Sequence, residues 1–321
     1  MTVQVSVVVP TYRRPDLLDR CLRALAAQAL APSAYEIIVA DDEPSEGTRR
    51  LVESWAARLR PAVRYVPVTG AHGPAAARNA GWRAARGPVI AFTDDDTVPD
   101  PNWLKAGCAA LDDQVTAVWG RLVMPLPARP TDYELSAARL ARAEFVTANC
   151  FCRRSALAAV GGFDERFKAA WREDSDLYFR LLELPGRIEH APGAVVIHPI
   201  RPAPWGISLR QQRNSVFDAL LYKKHPELYR EKIGTAPYLY YAILVCSAGA
   251  IVGALGRRWP LAASGAAMWA LLTGAFCWRR LRRTARAPRH IAEMVFTSAL
   301  IPPVAIFWRI LGGLKYRVFF Y

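Results

Sequence analysis

The chain has 321 residues, 52% of them hydrophobic, with ten Trp, six Cys and a net charge of +14. That length holds one large or two modest domains. The six Cys show no zinc-ribbon spacing, and they read as free thiols of a reducing compartment. Charge is segregated: residues 1–200 carry 24 Lys and Arg against 24 Asp and Glu, whereas residues 201–321 carry 18 against 4. The basic residues flank long apolar runs, which suits a membrane surface and argues against nucleic acid as a partner.

In chain order, Val3–Val9 reads as a β-branched strand ended by Pro10, and Leu17, Leu18, Cys21, Leu22 and Leu25 follow at helical spacing. Strands are predicted at Glu36–Ala40, Val63–Val68 and Val89–Thr93. Helices carrying Leu51, Val52, Trp55 and Leu59, and then Pro74–Ala85, alternate with them. Met1–Pro10 lacks the basic start and long apolar run of a secretory signal. Alternation at this spacing implies a mostly parallel, doubly wound sheet whose ligands bind beyond the strands' carboxyl ends. Polar clusters stand there: Thr11-Tyr12-Arg13, Asp41-Asp42 and Asp94-Asp95-Asp96. Further on, Val115–Val123, Phe145–Cys152 and Val195–Ile197 are expected strands. Arg154–Val160 is a helix stopped by Gly161-Gly162, Arg172–Leu182 is another, and His198 closes the last strand.

Ile207–Lys224 mixes apolar and basic residues, as either a helix lying on a membrane surface or a packed surface helix would. Ala236–Leu255 and Trp259–Trp278 contain no charged residue, and each is long enough to cross a bilayer. Ile291–Trp308 is a third candidate, with Glu293 near its start and Pro302-Pro303 inside it. Six Arg between residues 279 and 289 place that loop, and hence the N-terminal domain, on the cytoplasmic side of an inner membrane.

Clustered carboxylates at a strand end make a hard-oxygen site for Mg2+ or Mn2+, which can then bridge phosphate oxygens. A helix cap or a solvated acidic loop is the reading that Asp94–Asp96 alone leaves open. Asp174, in Arg172-Glu173-Asp174-Ser175-Asp176, is placed to serve as a general base, or simply to favour a helix dipole.

Taken together, the motifs resemble glycosyltransferase family 2, inverting enzymes with the GT-A fold. They are Val7-Val8-Val9-Pro10-Thr11-Tyr12-Arg13, Val39-Ala40-Asp41-Asp42, Gly73-Pro74-Ala75-Ala76-Ala77-Arg78-Asn79, Phe92-Thr93-Asp94-Asp95-Asp96, Gly161-Gly162-Phe163-Asp164-Glu165 and Glu173-Asp174-Ser175-Asp176-Leu177. The resemblance spans about residues 3–200 and implies a Rossmann-like GT-A domain over 1–205. An interfacial helix region at 206–232 and an all-α transmembrane region at 233–321 follow, with spans near 236–256, 259–278 and 291–311.

The resemblance also implies roles. Pro10, Tyr12, Asp42, Arg78, Asp94 and Asp95 would contact the donor nucleotide or sugar, and Asp96, with His198, would hold a divalent cation. Asp174 would be the base, and Trp171 and Glu173 would face the acceptor or sugar. Two departures stand out: Glu43-Pro44 replaces the usual Gly-Ser after the second acidic pair, and the Gln-x-x-Arg-Trp motif of processive synthases is absent. The expected activity is transfer of one sugar from a nucleoside diphosphate sugar, UDP-type by resemblance, to a hydroxyl of a lipid or lipid-linked acceptor in cell-envelope glycan or glycolipid synthesis. A polyprenyl-phosphate glycosyl synthase and a silent nucleotide-binding membrane scaffold are the alternatives.

Overall fold

The computed structural model describes residues 3–234 and 236–319. Met1, Thr2, Thr235, Phe320 and Tyr321, which fall in the expected 1–205 and 233–321 regions, lie outside the described residues. The chain divides into two compact units. One runs to Pro125 and resumes over Ala138–Ile200; the other combines Leu126–Ala137 with the chain from Arg201.

The first unit is built on one eight-stranded sheet. Its elements in order are β1 (Val5–Thr11), α1 (Pro15–Ala26), β2 (Tyr35–Asp41), α2 (Glu46–Arg58), β3 (Ala62–Pro67), α3 (Pro74–Ala84) and β4 (Val89–Phe92). They continue with β5 (Val98–Pro99), α4 (Trp103–Ala109) and β6 (Val115–Val123). The chain then leaves for the second unit, where it forms α5 (Asp132–Ala137), and returns to form β7 (Cys150–Arg153), α6 (Arg154–Ala159), α7 (Glu173–Leu182) and β8 (Arg187–Ile197).

The spatial order of the strands is β3-β2-β1-β4-β7-β6-β8-β5. Parallel pairing joins β1 to β2 and β4, β2 to β3, and β6 to β8. β7 runs antiparallel to β4 and β6, and β5 antiparallel to β8. Strands buried on both faces need continuous apolar runs, and β1 and β2 supply them: Val5, Val7, Val8, Val9, Ile37, Ile38 and Val39 are fully buried. Leu18, Cys21, Leu22 and Leu25 of α1 cover one face, at the spacing that places them on one helical stripe.

The expected strand at Phe145–Cys152 begins only at Cys150, because Phe145 sits at φ 52, a left-handed conformation that no strand continues through. The glycine pair expected to stop α6 does follow it, and both residues are left-handed. At Gly162 (φ +75) an added Cβ would also lie 2.5 Å from Asn79 Oδ1, so close approach as well as conformation requires glycine.

The second unit is helical: α8 (Ile207–Gln211), α9 (Ser215–Lys224), α10 (Pro226–Leu228), α11 (Tyr238–Leu255), α12 (Trp259–Leu281) and α13 (Pro288–Tyr316). The single helix expected over Ile207–Lys224 is broken by a 3-10 turn at Gln212–Asn214. α11, α12 and α13 are each long and apolar enough to cross a membrane. Small residues close the α11–α12 pair, since a Cβ at Gly253 would meet Ala262 N at 2.5 Å and one at Gly265 would meet Ala250 N at 2.6 Å. The third apolar segment is longer than expected, and its helix runs unbroken through Pro302-Pro303.

Candidate active site

The parallel strands deliver their carboxyl ends to one edge of the sheet. Thr11 pairs with Asp41 across β1 and β2, and Val8 of β1 pairs with Phe92 just before the acidic triplet. The triplet forms the turn between β4 and β5, and its three carboxylates serve different ends.

Asp95 points inward. It is 1% exposed, accepts from Thr11 Oγ1 at 2.8 Å and faces Arg14 Nη1 at 3.2 Å. Burial pushes its carboxyl up to about 6, against the opposing charge of Arg14. Asp94 and Asp96 turn toward His198, and one ligand atom from each of the three lies within 4.8 Å of the others. Asp96 Oδ1 is 3.6 Å from His198 Nε2. The pairing of Val98 with Ile197 in the β5–β8 ladder draws together two segments a hundred residues apart. Two carboxylates and one imidazole at this separation fit a six-coordinate hard cation such as Mn2+ or Mg2+, with remaining positions for phosphate oxygens.

Behind Asp94 stands Arg78 of α3, 3% exposed. Its Nη2 donates to Asp94 Oδ1 at 2.8 Å and its Nη1 to Glu173 Oε1 at 3.1 Å. Burial works to raise the Asp94 carboxyl, but the guanidinium of Arg78, with His198 and Arg14 near by, outweighs it and holds the group below its ordinary range. Glu173 is equally buried, and burial beside Asp174 pushes its carboxyl up to about 7 despite Arg78. Its Oε2, and Arg78 Nε, have no hydrogen-bond partner among the described residues. Glu36 makes the contrast: buried at the other edge of the sheet, it uses both oxygens, accepting from Ser6, the Arg86 N–H and Arg64.

Asp174 is half-buried in the first turn of α7, and its Oδ1 accepts from the Ser175 N–H at 2.7 Å. Burial raises its carboxyl above the ordinary range, while that bond and the Arg78 and Arg172 charges oppose the rise. Trp171, 40% exposed, lies just before the helix with the Arg172 guanidinium over its ring at 4.9 Å.

At the ends of β1 and β2 the acidic pair divides its labour. Asp41 caps its own loop, accepting from the Glu43 and Ser45 N–H groups and from Tyr65 Oη. Asp42 instead accepts from the Gly73 N–H at 2.8 Å, at the entrance to α3. Pro10 is half-buried within β1, and Tyr12, 46% exposed, lies beside the Arg13–Glu43 ion pair.

The structure therefore brings Asp94, Asp96 and His198 into one cluster and joins Arg78 and Glu173 to it. Asp174 is next in the chain, and Pro10, Tyr12 and Asp42 stand at the neighbouring strand ends. The sequence reading missed Arg14, which faces Asp95 and also Asp96 at 3.5 Å, and Arg20, whose Nη2 donates to the Asp96 carbonyl. Their one signal was two basic residues shortly after an aromatic strand end.

A family model described as glycosyl transferase family 2 matches residues 6–162, and one described as glycosyl transferase family group 2 matches residues 89–311, more than half of the chain. Validoxylamine A glucosyltransferase of Streptomyces hygroscopicus subsp. limoneus is 30% identical over 274 residues, covering 71% of this chain and 58% of the relative. Pre-mycofactocin glycosyltransferase of Mycobacterium tuberculosis is 29% identical over 323 residues, covering 95% of this chain and 62% of the relative. The chain thus spans about three fifths of the length of these curated relatives. Among solved structures, a mannosyltransferase from Pyrobaculum calidifontis in complex with GDP-Man and Mn2+ matches with a TM-score of 0.57 at 21% identity, covering 98% of this chain and 87% of that one. The sheet with its acidic turn at the end of β4 is of the GT-A type. The chain belongs to glycosyltransferase family 2.

Proposed function

We propose that the protein transfers a sugar, with inversion, from a nucleoside diphosphate sugar, UDP-type in the leading reading, to a hydroxyl of a lipid or lipid-linked acceptor at the cytoplasmic face of the membrane. The observation that carries the reading is the convergence of Asp94, Asp96 and His198, tied through Arg78 to the segment that bears Asp174.

A divalent cation held by Asp94, Asp96 and His198 would neutralise the leaving diphosphate. Tyr12, Pro10 and Asp42 would hold the nucleotide's base and ribose at the β1 and β2 ends. Asp174 would accept the proton of the acceptor hydroxyl as its oxygen bonds to the anomeric carbon. The bond from that carbon to the phosphate oxygen would break with its electron pair leaving on the diphosphate. A raised carboxyl suits this role, since a base works best with a pKa nearer the operating pH. Trp171 and Glu173 would flank the acceptor side. The three apolar helices and the arginines between α12 and α13 support the membrane half of the proposal.

The test is a panel of UDP-, GDP- and dTDP-sugars offered to the full-length protein in detergent, with Mn2+ or with EDTA. Slow, metal-dependent hydrolysis of one donor class is expected. No turnover of any donor, together with no nucleoside diphosphate binding, would rule the reading out.

A further inference from the structure

We propose that Glu173 is a positioning residue that shares Arg78 with Asp94, so that a carboxylate of α7 sets how strongly the Asp94–Asp96–His198 cluster holds its cation. The proposal rests on the metal-assisted reading above and assigns Glu173 a task besides any contact with acceptor or sugar.

One guanidinium here serves two acids. Arg78 gives one nitrogen to Asp94 at 2.8 Å and another to Glu173 at 3.1 Å, with Arg78 and Glu173 buried and Asp94 partly open to solvent. A cation bound at the cluster and the guanidinium both seek Asp94, and they repel each other. Glu173 supplies the alternative anion that draws Arg78 back. Charge shared between two sites is reciprocal. A cation arriving at Asp94 pushes Arg78 toward Glu173, and neutralising Glu173 relieves its repulsion of Asp174, the neighbouring base. Loading the cation with its donor thereby favours the ionised form of the residue that activates the acceptor.

Arg78 is not needed merely to hold α3 in place. Asn79, the next residue, already ties the helix to the turn after α6. Its Nδ2 donates to the Phe163 carbonyl at 2.9 Å and to Glu165 at 2.8 Å, while its Oδ1 accepts from the Phe163 N–H at 2.8 Å. Phe163 itself packs edge-on against Phe92 with ring centres 5.3 Å apart. The unpartnered Oε2 of Glu173 and Nε of Arg78 mark a pair that has not been optimised as a closed structural bridge.

The experiment uses the full-length protein in detergent and Mn2+ alone as the probe, with affinity read from the electron paramagnetic resonance of free Mn2+ above pH 7, where the Glu173 carboxyl is mostly ionised. Glu173→Gln leaves Arg78 wholly on Asp94 and is expected to weaken Mn2+ binding roughly three- to tenfold, in the lower part of the span for coupled groups in one charged network. Arg78→Gln removes the competitor and is expected to tighten binding relative to wild type. Opposite signs are the signature, since a purely structural role weakens binding in both. Parallel weakening, or no change in Glu173→Gln, overturns the coupling while the glycosyl-transfer reading stands. No Mn2+ binding by the wild type removes the metal site from that reading, and the coupling with it. If Arg78→Gln does not fold, Arg78→Lys decides, because an ammonium lacks the two separate nitrogens by which the guanidinium holds one carboxylate each. In that background, loss of the Glu173→Gln effect supports the proposal and its persistence overturns it.

Discussion

Arg280 meets Asp132 across 148 positions of sequence, with its Nη2 2.8 Å and its Nε 3.1 Å from one carboxylate oxygen. Its remaining nitrogen donates to Thr297 and Ser298 on α13. Arg280 is buried and Asp132 partly so, and removing the acid strands the buried guanidinium, at a cost of about 3 kcal/mol. Asp132→Ala is therefore expected to lower the melting temperature of the detergent-solubilised protein by several degrees, and Asp132→Leu with Arg280→Met to recover most of the loss. An unchanged melting temperature in the single variant would mean that the pair holds nothing.

Asp174→Asn keeps the shape of the side chain and removes its capacity to take a proton. Turnover of the donor is expected to fall about 10²- to 10⁴-fold, the usual weight of a general base, while Mn2+-dependent nucleoside diphosphate binding and folding are retained. A variant that turns over at the wild-type rate would move the base elsewhere.

Asp96→Ala is expected to weaken nucleoside diphosphate binding in Mn2+ by about tenfold or more, and His198→Ala by less, since an ionised oxygen ligand contributes more than a neutral imidazole to a hard cation. Isothermal titration with and without EDTA measures both. Binding that ignores EDTA in the wild type would leave the cluster without a cation to hold.

The pH dependence has a defined sign. Burial raises the Asp174 carboxyl, and Glu173 beside it is pushed to about 7. A base must be ionised to act, so activity is expected to fall as pH drops through the pair's joint titration, above the ordinary aspartate value of about 3.9. Glu173→Gln removes a like charge and is expected to move this acid limb to lower pH. A rate that stays flat down to the ordinary carboxylate range would show that no buried acid limits the reaction.

The strands and the acidic clusters at their ends were legible because β1, β2 and β4 are buried on both faces and so are written as apolar runs ending in polar residues. The candidate metal cluster was half legible: the resemblance named Asp96 and His198 for a cation and gave Asp94 to the donor, whereas the two-residue ladder between β5 and β8 that brings His198 to the acidic turn is too short to leave a pattern. Arg78 was expected among the nucleotide contacts. Its partners among the described residues include Asp94 and Glu173, a pairing that needs α3, β4 and α7 in place at once. The grouping of Leu126–Ala137 with the helices was not foreseen. What holds that segment includes Asp132 on Arg280 and the Ala285 N–H on the Pro130 carbonyl, both from residues far ahead in the chain.

Truncation after Lys232 removes Arg280 while leaving Asp132. Limited proteolysis of such a fragment is expected to cut within residues 126–137, with the sheet residues resistant. Equal resistance of that segment with and without the helices would detach it from them.

The same excursion sets an order of events during synthesis. Asp132 leaves the ribosome 148 residues before the arginine that will hold it. At about 5–20 residues per second the wait is on the order of ten seconds. Throughout that time the strands on either side of α5 can pair, but Asp132 of α5 lacks its Arg280 partner. A stretch interrupting the sequence of the sheet-bearing unit is thus secured by residues made long after it, and its hold is complete only once they exist.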